Sequence, residues 1–329
     1  MQSFSRAPPS RGVTSRALDA AAFALLCAIW GSTWLAIRIG LGGAPAFLAA
    51  SLRFVLASVT LLAVAAVLRR RLPRTRQEWT LVLFVGLVLF TADYGLIYWG
   101  EGNGVASGLS AILFATYPLQ TAIAANFVVA KEKLSAQKTV GIALGFAGIL
   151  VIFREQLAAD WGIFFPMLAI VLSATCASLS AVALKRWGHD TDPVAFNAAA
   201  MATGAIALAG VSLAAGEAWA VPSWPAGIGA IVYLALAGSV VTFVTWNWLL
   251  KRAQATTVSY VAFVTPIVAV LLGVGVGDER FDPLVLAGAA VTLSGIWLST
   301  SRRVGIWMRA AMGAGAVSDA TADPPEEKP

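Results

Sequence analysis

The sequence predicts an all-α membrane protein of ten transmembrane helices, built as an inverted repeat of five plus five. Composition comes first: of 329 residues, 59% are hydrophobic and only 12% are charged, with a mean hydropathy of +0.79. Soluble domains carry about 25% charged residues. The apolar runs also recur so closely that no stretch between them could fold as a separate water-soluble unit. Finally, prolines, acids and glycines recur at matching intervals in the two halves of the chain.

A helix needs about 20 residues to cross a hydrocarbon core of about 30 Å. Measured so, the first span runs near 18–41, after a tail over 1–17 that carries Arg6, Arg11 and Arg16. Its apolar run of about 23 residues exceeds a signal-peptide core and lacks a clear cleavage site, so it reads as an uncleaved helix. The second span, near 46–68, opens after Pro45, and the third, near 79–99, ends on Trp99 before the flexible turn containing Gly100, Gly102 and Gly104. The fourth, near 105–130, holds Pro118, and the fifth, near 137–153, is the shortest. The sixth and seventh are placed near 161–184 and 193–214, the eighth near 226–250. The ninth, near 255–276, holds Pro266, and the tenth lies near 283–301. Membrane helices tolerate such Gly and Pro residues better than soluble ones do. The remainder, 302–329, ends in a Gly-, Pro- and acid-rich stretch that reads as mostly disordered.

Lysine and arginine set the orientation. With the N-terminus in the cytoplasm, nineteen of the 23 fall on the inner side, and only Arg154 and Arg280 fall in outer loops. Arg38 and Arg53 lie inside spans. That asymmetry follows the positive-inside rule and needs an even number of spans, so both termini are expected in the cytoplasm. The net charge of +6 is spread in short clusters between apolar runs, which speaks for topology and against nucleic acid.

The repeat is read from spacing. Glu132 precedes Gly141 by nine residues and Gly148 by sixteen; Glu279 precedes Gly288 and Gly295 by the same intervals. Pro45 precedes Arg53 by eight, as Pro193 precedes Met201, and Pro118 matches Pro266. The units are 18–153 and 161–301. Five spans per unit is odd, so the second copy enters the bilayer from the opposite side, the architecture of secondary transporters with a site near the midplane.

These residues also resemble a known family. "WGSTWLAIRIG" in the first span, "PAFLAASLRF" opening the second, "GEGNGVASGLSAILFATYPL" leading into the fourth, "KEKLS" after it and "SYVAFVTPIVAVLLGVGVGDE" in the ninth are similar, in that order, to the EamA family of the drug/metabolite transporter superfamily. The resemblance covers about 18 to 300 and implies a ten-helix inverted repeat with a central cavity and alternating access. It also implies a multi-pass protein of the plasma membrane, the inner membrane in a bacterium, often exporting amino acids or other small metabolites.

Candidate site residues follow from depth. Arg38 lies about 20 residues into its span and emerges at the outer surface, either snorkelling to the headgroups or facing the outer vestibule. Arg53 sits roughly 12 Å below Pro45, too deep to escape, and Asp93 lies about 9 Å below Trp99 at the same face. The two are expected to neutralise each other, directly or through water, because a lone buried charge is expensive. Whether such a pair is functional or structural is left open. Glu101, at the outer turn, is open to three readings: a proton, a cationic group of the substrate, or a pair with Arg38. The other charge-free candidates for the cavity are Trp30, Ser32, Trp34, Tyr94, Tyr98, Tyr117 and Gln120 in the first half, and Asn197, Trp246, Asn247, Ser259 and Thr265 in the second. Pro118 and Pro266 each remove a backbone donor and read equally as hinges or as fixed kinks. Glu132 and Glu279 read as solvated caps or as ion pairs between helix ends.

No phosphate-binding glycine loop with Lys and Ser/Thr occurs, and the single histidine, His189, belongs to no metal-ligand cluster, so neither cofactor nor metal is expected. The expected function is a secondary active carrier that moves, by alternating access, a small amino-acid-like or amphipathic metabolite, with export the favoured direction. A proton is the open candidate for coupling ion, and monomer and homodimer both remain open. A passive channel is the rival reading. A weaker one is an intramembrane enzyme with Asp93 and Glu101 as its acid and base.

Overall fold

The structure is a computed structural model that describes residues 13–128, 134–219, 225–252 and 261–301. Among these residues, nine helices are long and apolar enough to cross a membrane, and a shorter apolar helix accompanies them. Helix α1 is Val13–Leu41 and α2 is Ala46–Val67. Helix α3 covers Arg76–Gly102, and α4 covers Ser107–Val128. Then come α5, Ala136–Ala159, and, after a single 3-10 turn over Trp161–Ile163, α6, Phe164–Trp187. Helix α7 is Pro193–Ala214, α8 runs from Pro225 to Arg252, α9 is Val261–Gly275 and α10 is Pro283–Thr300.

Local sequence explains several of these limits. Thr75 and Glu78 cap α3 reciprocally: the Glu78 amide donates to the Thr75 hydroxyl at 3.1 Å, and the Thr75 amide to the Glu78 carboxylate at 2.9 Å. Helices α7 and α10 open alike, with Asp192 or Asp282 as N-cap and a proline at the first position. The fifth span is not short: α5 continues six residues past its expected end at 153, so Arg154 stands on the helix instead of in a loop.

Helices α3 and α8 each contain a π-helical turn at corresponding places, Gly86–Asp93 and Leu236–Val241. In each, a hydroxyl closes the widened turn on the carbonyl five residues back. Thr91 donates to Gly86 O at 2.9 Å and Ser239 to Leu234 O at 3.0 Å, and each of those residues lies one repeat length from its mate. An expanded turn leaves carbonyls poorly paired, and π turns cluster at functional sites. The two equivalent prolines behave differently. Helix α4 breaks at 115–116, just before Pro118, whereas α9 stays continuous through Pro266.

The repeat is visible in the packing. An axis lying in the membrane plane must pair α2 with its mate α7 and α5 with its mate α10, and these are the most extensive helix contacts in the molecule. The remaining contacts come in exchanged sets: α1 against α9 matches α6 against α4, and α3 against α7 matches α8 against α2. Glycines draw the α5/α10 seam. Gly141 faces Gly295 and Gly148 faces Gly288, and the repeat converts the first pair into the second. A side-chain carbon on any of the four would strike a backbone carbonyl of the opposite helix. Small residues are how membrane helices reach such close approach.

Candidate functional site

A cavity of about 390 Å³ opens between the two halves. Its wall on α1 is Trp30, Thr33, Trp34 and Ile37, a single face of the helix. Arg53 comes from α2, Asp93, Tyr94 and Ile97 from α3, and Trp246 from α8. The remaining lining belongs to the equivalent helices α4 and α9: Ala111, Phe114, Ala115, Tyr117, Pro118 and Thr121 face Val261, Ala262, Thr265 and Pro266. Aromatic contacts hold these walls, with Trp30 and Trp246 at 5.2 Å and Trp34 and Phe114 at 5.3 Å between ring centroids.

Arg53 is 1% exposed. Its Nε donates to the Ser239 hydroxyl at 3.2 Å and its Nη2 to the Gly238 carbonyl at 3.4 Å, both in the π turn of α8. The guanidinium lies 4.7 Å from the Tyr94 ring centroid and 5.2 Å from that of Phe54, within cation–π range. Its Nη1 has no hydrogen-bonding partner. Asp93 closes the π turn of α3; it is 2% exposed and its Oδ1 is likewise unpartnered. The direct Arg53–Asp93 ion pair expected from depth is not formed, because no guanidinium nitrogen comes within 4.0 Å of an Asp93 oxygen. The π turn of α8 and the face of Tyr94 take up the guanidinium instead. The cavity thus carries an incompletely satisfied cation and an incompletely satisfied acid among aromatic walls.

Ten of the expected residues line this cavity: Trp30, Trp34, Arg53, Asp93, Tyr94, Tyr117, Pro118, Trp246, Thr265 and Pro266. Others lie off it. Ser32 shares a hydrogen bond of 2.6 Å with Tyr233 and so ties α1 to α8. Gln120 joins α4 to α6, donating to Val171 O at 3.1 Å and accepting from Thr175 at 2.5 Å. Asn197 donates to Pro193 O at 2.8 Å within its own helix. Tyr98 is fully buried beyond the cavity wall, its hydroxyl unpartnered. Ser259 and Glu132 fall outside the described residues, and of Asn247 only the backbone is described. Thr33 and Ile37 were not foreseen, although they share one helix face with Trp30 and Trp34 and that periodicity would have found them.

Beyond Ile37 and Ile97, side chains tie helix ends together. Arg38, its side chain 45% exposed, pairs with Glu279 and not with Glu101. The carboxylate of Glu279 also accepts from the Ser107 amide at 2.7 Å, the Ser107 hydroxyl at 2.6 Å and the Gly108 amide at 3.0 Å, thereby capping α4 from the turn between α9 and α10. Burial pushes this carboxyl up, but the Ser107 and Gly108 donors and Arg38 outweigh it and hold Glu279 below the ordinary carboxylate range. It is a buried carboxylate paired with a half-exposed arginine and joining helix ends, neither solvated nor paired with Arg280. Glu217 does the same for α2: its two carboxylate oxygens accept from the Phe47 and Leu48 amides at 3.0 and 2.9 Å. Both caps reach from second-half loops to first-half helices. Glu101 is not in a turn but in the last turn of α3 itself, 6% exposed, with neither carboxylate oxygen partnered.

Comparison with known proteins agrees with this architecture. The model of the EamA-like transporter family matches residues 19–154 and 164–301. The chain is similar to the uncharacterized inner membrane transporter YedA of Escherichia coli (strain K12), with 32% identity over 289 residues, covering 86% of this chain and 90% of that one. It is similar to the uncharacterized transporter YoaV of Bacillus subtilis (strain 168) at 27% over 274 residues, covering 83% and 93%. A probable amino-acid metabolite efflux pump of Escherichia coli (strain K12) is 24% identical over 291 residues, covering 84% and 92%. One solved crystal structure shares the fold, with a TM-score of 0.63 at 20% identity over 88% of this chain and 98% of that one.

Proposed function

The chain belongs to the EamA-like transporter family, and from that premise we propose that it is a secondary active carrier exporting a small zwitterionic or amphipathic metabolite of the amino-acid kind. The observation that carries the reading is the pair of incompletely satisfied charges in one aromatic cavity, Arg53 Nη1 and Asp93 Oδ1. A solute presenting a carboxylate to the guanidinium and an ammonium to the acid would supply what each lacks, with its body against Trp30, Trp34 and Trp246. The relative named as a probable amino-acid metabolite efflux pump points to the same class of cargo.

Alternating access is supported by the place of the cavity between inverted halves and by the ties that join helix ends across one end of it, at Arg38, Ser107 and Glu279. A standing pore would not need such ties, which favours a carrier over a channel. An enzyme using Asp93 and Glu101 would need both at one reacting centre, yet Asp93 faces the cavity and Glu101 does not. With Arg70, Arg71 and Arg74 on the opposite face, the positive-inside rule puts the Arg38 face outside, in the plasma membrane of a bacterium.

The test is uptake of radiolabelled amino acids by proteoliposomes preloaded with the same unlabelled solute. A carrier shows saturable uptake accelerated by the internal solute. Uptake indifferent to internal solute, rising linearly with concentration, would falsify the carrier reading in favour of a channel.

A further inference from the structure

Glu101 has no role in the cavity, yet it is a carboxyl held away from water with nothing donating to it. The groups facing it come from three sides: Arg38 on α1, Ser110 on α4 and Glu279 from the α9–α10 turn, with Tyr98 on its own helix. Helices α2 and α6 bring Ala46, Pro166 and Ile170 against Gly100 and Gly102 at this end of α3. Among the described residues the cation within reach, Arg38, is committed to Glu279. Close by, the Tyr98 hydroxyl and the Ser110 hydroxyl are buried and unpartnered as well. Such a pocket offers a carboxylate no donor from a charged group, whereas a protonated carboxyl brings a donor of its own to oxygens that lack one.

We propose that Glu101 is a proton-binding site, and that its loss of the proton releases the Arg38–Glu279 latch; this rests on the carrier reading above. With the proton bound, Glu101 makes no claim on Arg38, and Glu279 keeps both the guanidinium and the start of α4. On release, the carboxyl O–H breaks, the proton passes to water at the Arg38 face, and the remaining carboxylate competes with Glu279 for the guanidinium. Two carboxylates then share one cation, Glu279 loses part of what holds it, and α4 is freed to move from the α9–α10 turn. The ligand the site would take is a proton, bound and released at the Arg38 face.

Infrared difference spectra of the protein in lipid nanodiscs test the binding directly. Both samples carry Asp93→Asn, which removes the buried carboxyl at the cavity, and one also carries Glu101→Gln. The expected result is a carbonyl stretch of an un-ionised carboxylic acid at acid pH, lost at alkaline pH and absent with Glu101→Gln. In Glu101→Asp the band persists at a displaced frequency, which covers the case in which the glutamine variant fails to fold. A band that survives Glu101→Gln unchanged, or one that Glu101→Asp does not move, overturns the proposal.

The latch is read by cysteine labelling. Val105 is 2% exposed beneath the latch, beside the start of α4. A cysteine replacing it should react with a water-soluble maleimide about tenfold more slowly in the Glu101→Gln protein at alkaline pH than with Glu101 present. Equal rates would overturn the latch. Neither measurement uses a transported solute, so failure here leaves the carrier reading to its own flux assay.

Discussion

Arg53 is held by neutral groups and two aromatic rings, and its Nη1 is left over. A buried polar group without a partner costs about 1–3 kcal/mol, so this arginine is a poor choice for stability. Arg53→Met, which copies Met201 of the second half, is therefore expected to leave the unfolding temperature unchanged or raised while abolishing uptake. A purely structural arginine would instead show its loss as unfolding. Glu279 has the opposite character, every contact being favourable. Glu279→Gln should destabilise at neutral pH by about 2 kcal/mol, within the range for hydrogen bonds to charged groups. The folded protein holds this carboxyl below its ordinary range, so its contribution is full above that range and is lost as pH falls through the lowered value. Melting curves of wild type and Glu279→Gln should accordingly converge on acidification. Depth made Arg53 and Asp93 legible as candidates, because helix rise converts residue number into distance from the membrane surface. The partner of Arg53 was not legible, since Ser239 stands 186 residues away on another helix.

Glycine shows at the scale of elements how one residue type has opposite consequences. On the α5/α10 seam, Gly148 and Gly295 touch backbone across the interface, and Gly210 of α7 and Gly229 of α8 have nothing near the place of a side chain. Gly148→Leu and Gly295→Leu should each cost about 3 kcal/mol or more through overpacking. Gly210→Ala and Gly229→Ala should each stabilise by about 0.5–1 kcal/mol, because alanine suits a helix interior better. Thermal unfolding of the four variants in detergent separates the two classes. The intervals from Glu132 and Glu279 marked the seam glycines as repeat mates, but interval alone carries no contact. Nor was the π turn of α3 or α8 readable: an inserted residue shifts the helical phase by less than the hydrophobic runs resolve. Pro118 and Pro266 were alike legible as hinges or kinks, and the break before Pro118 alone shows that proline only permits one.

For the molecule as a whole, the latched end lies at Arg38 and Glu279 and the cavity lining reaches the other way, to Thr121, Trp246 and Val261. A cysteine replacing Thr121 should then react with a membrane-impermeant maleimide in inside-out vesicles and not in right-side-out cells. The reverse pattern would place the latched end in the cytoplasm and contradict the orientation drawn from lysine and arginine. Added substrate should slow that labelling, since Thr121 lines the site the substrate would fill.

Hydropathy, charge asymmetry and intervals between prolines, acids and glycines determined the membrane class, the ten spans and the doubled, inverted plan. Each of these is a property of segments against a solvent, and lipid imposes it on every helix separately. Which charges meet was decided only by the tertiary structure. Arg38 lies 241 residues from Glu279, and two carboxylates near it, Glu101 and Glu279, are alike in sequence terms. Packing settled the choice by bringing the free amides at the start of α4 onto one of them and leaving both oxygens of the other without a hydrogen-bonding partner.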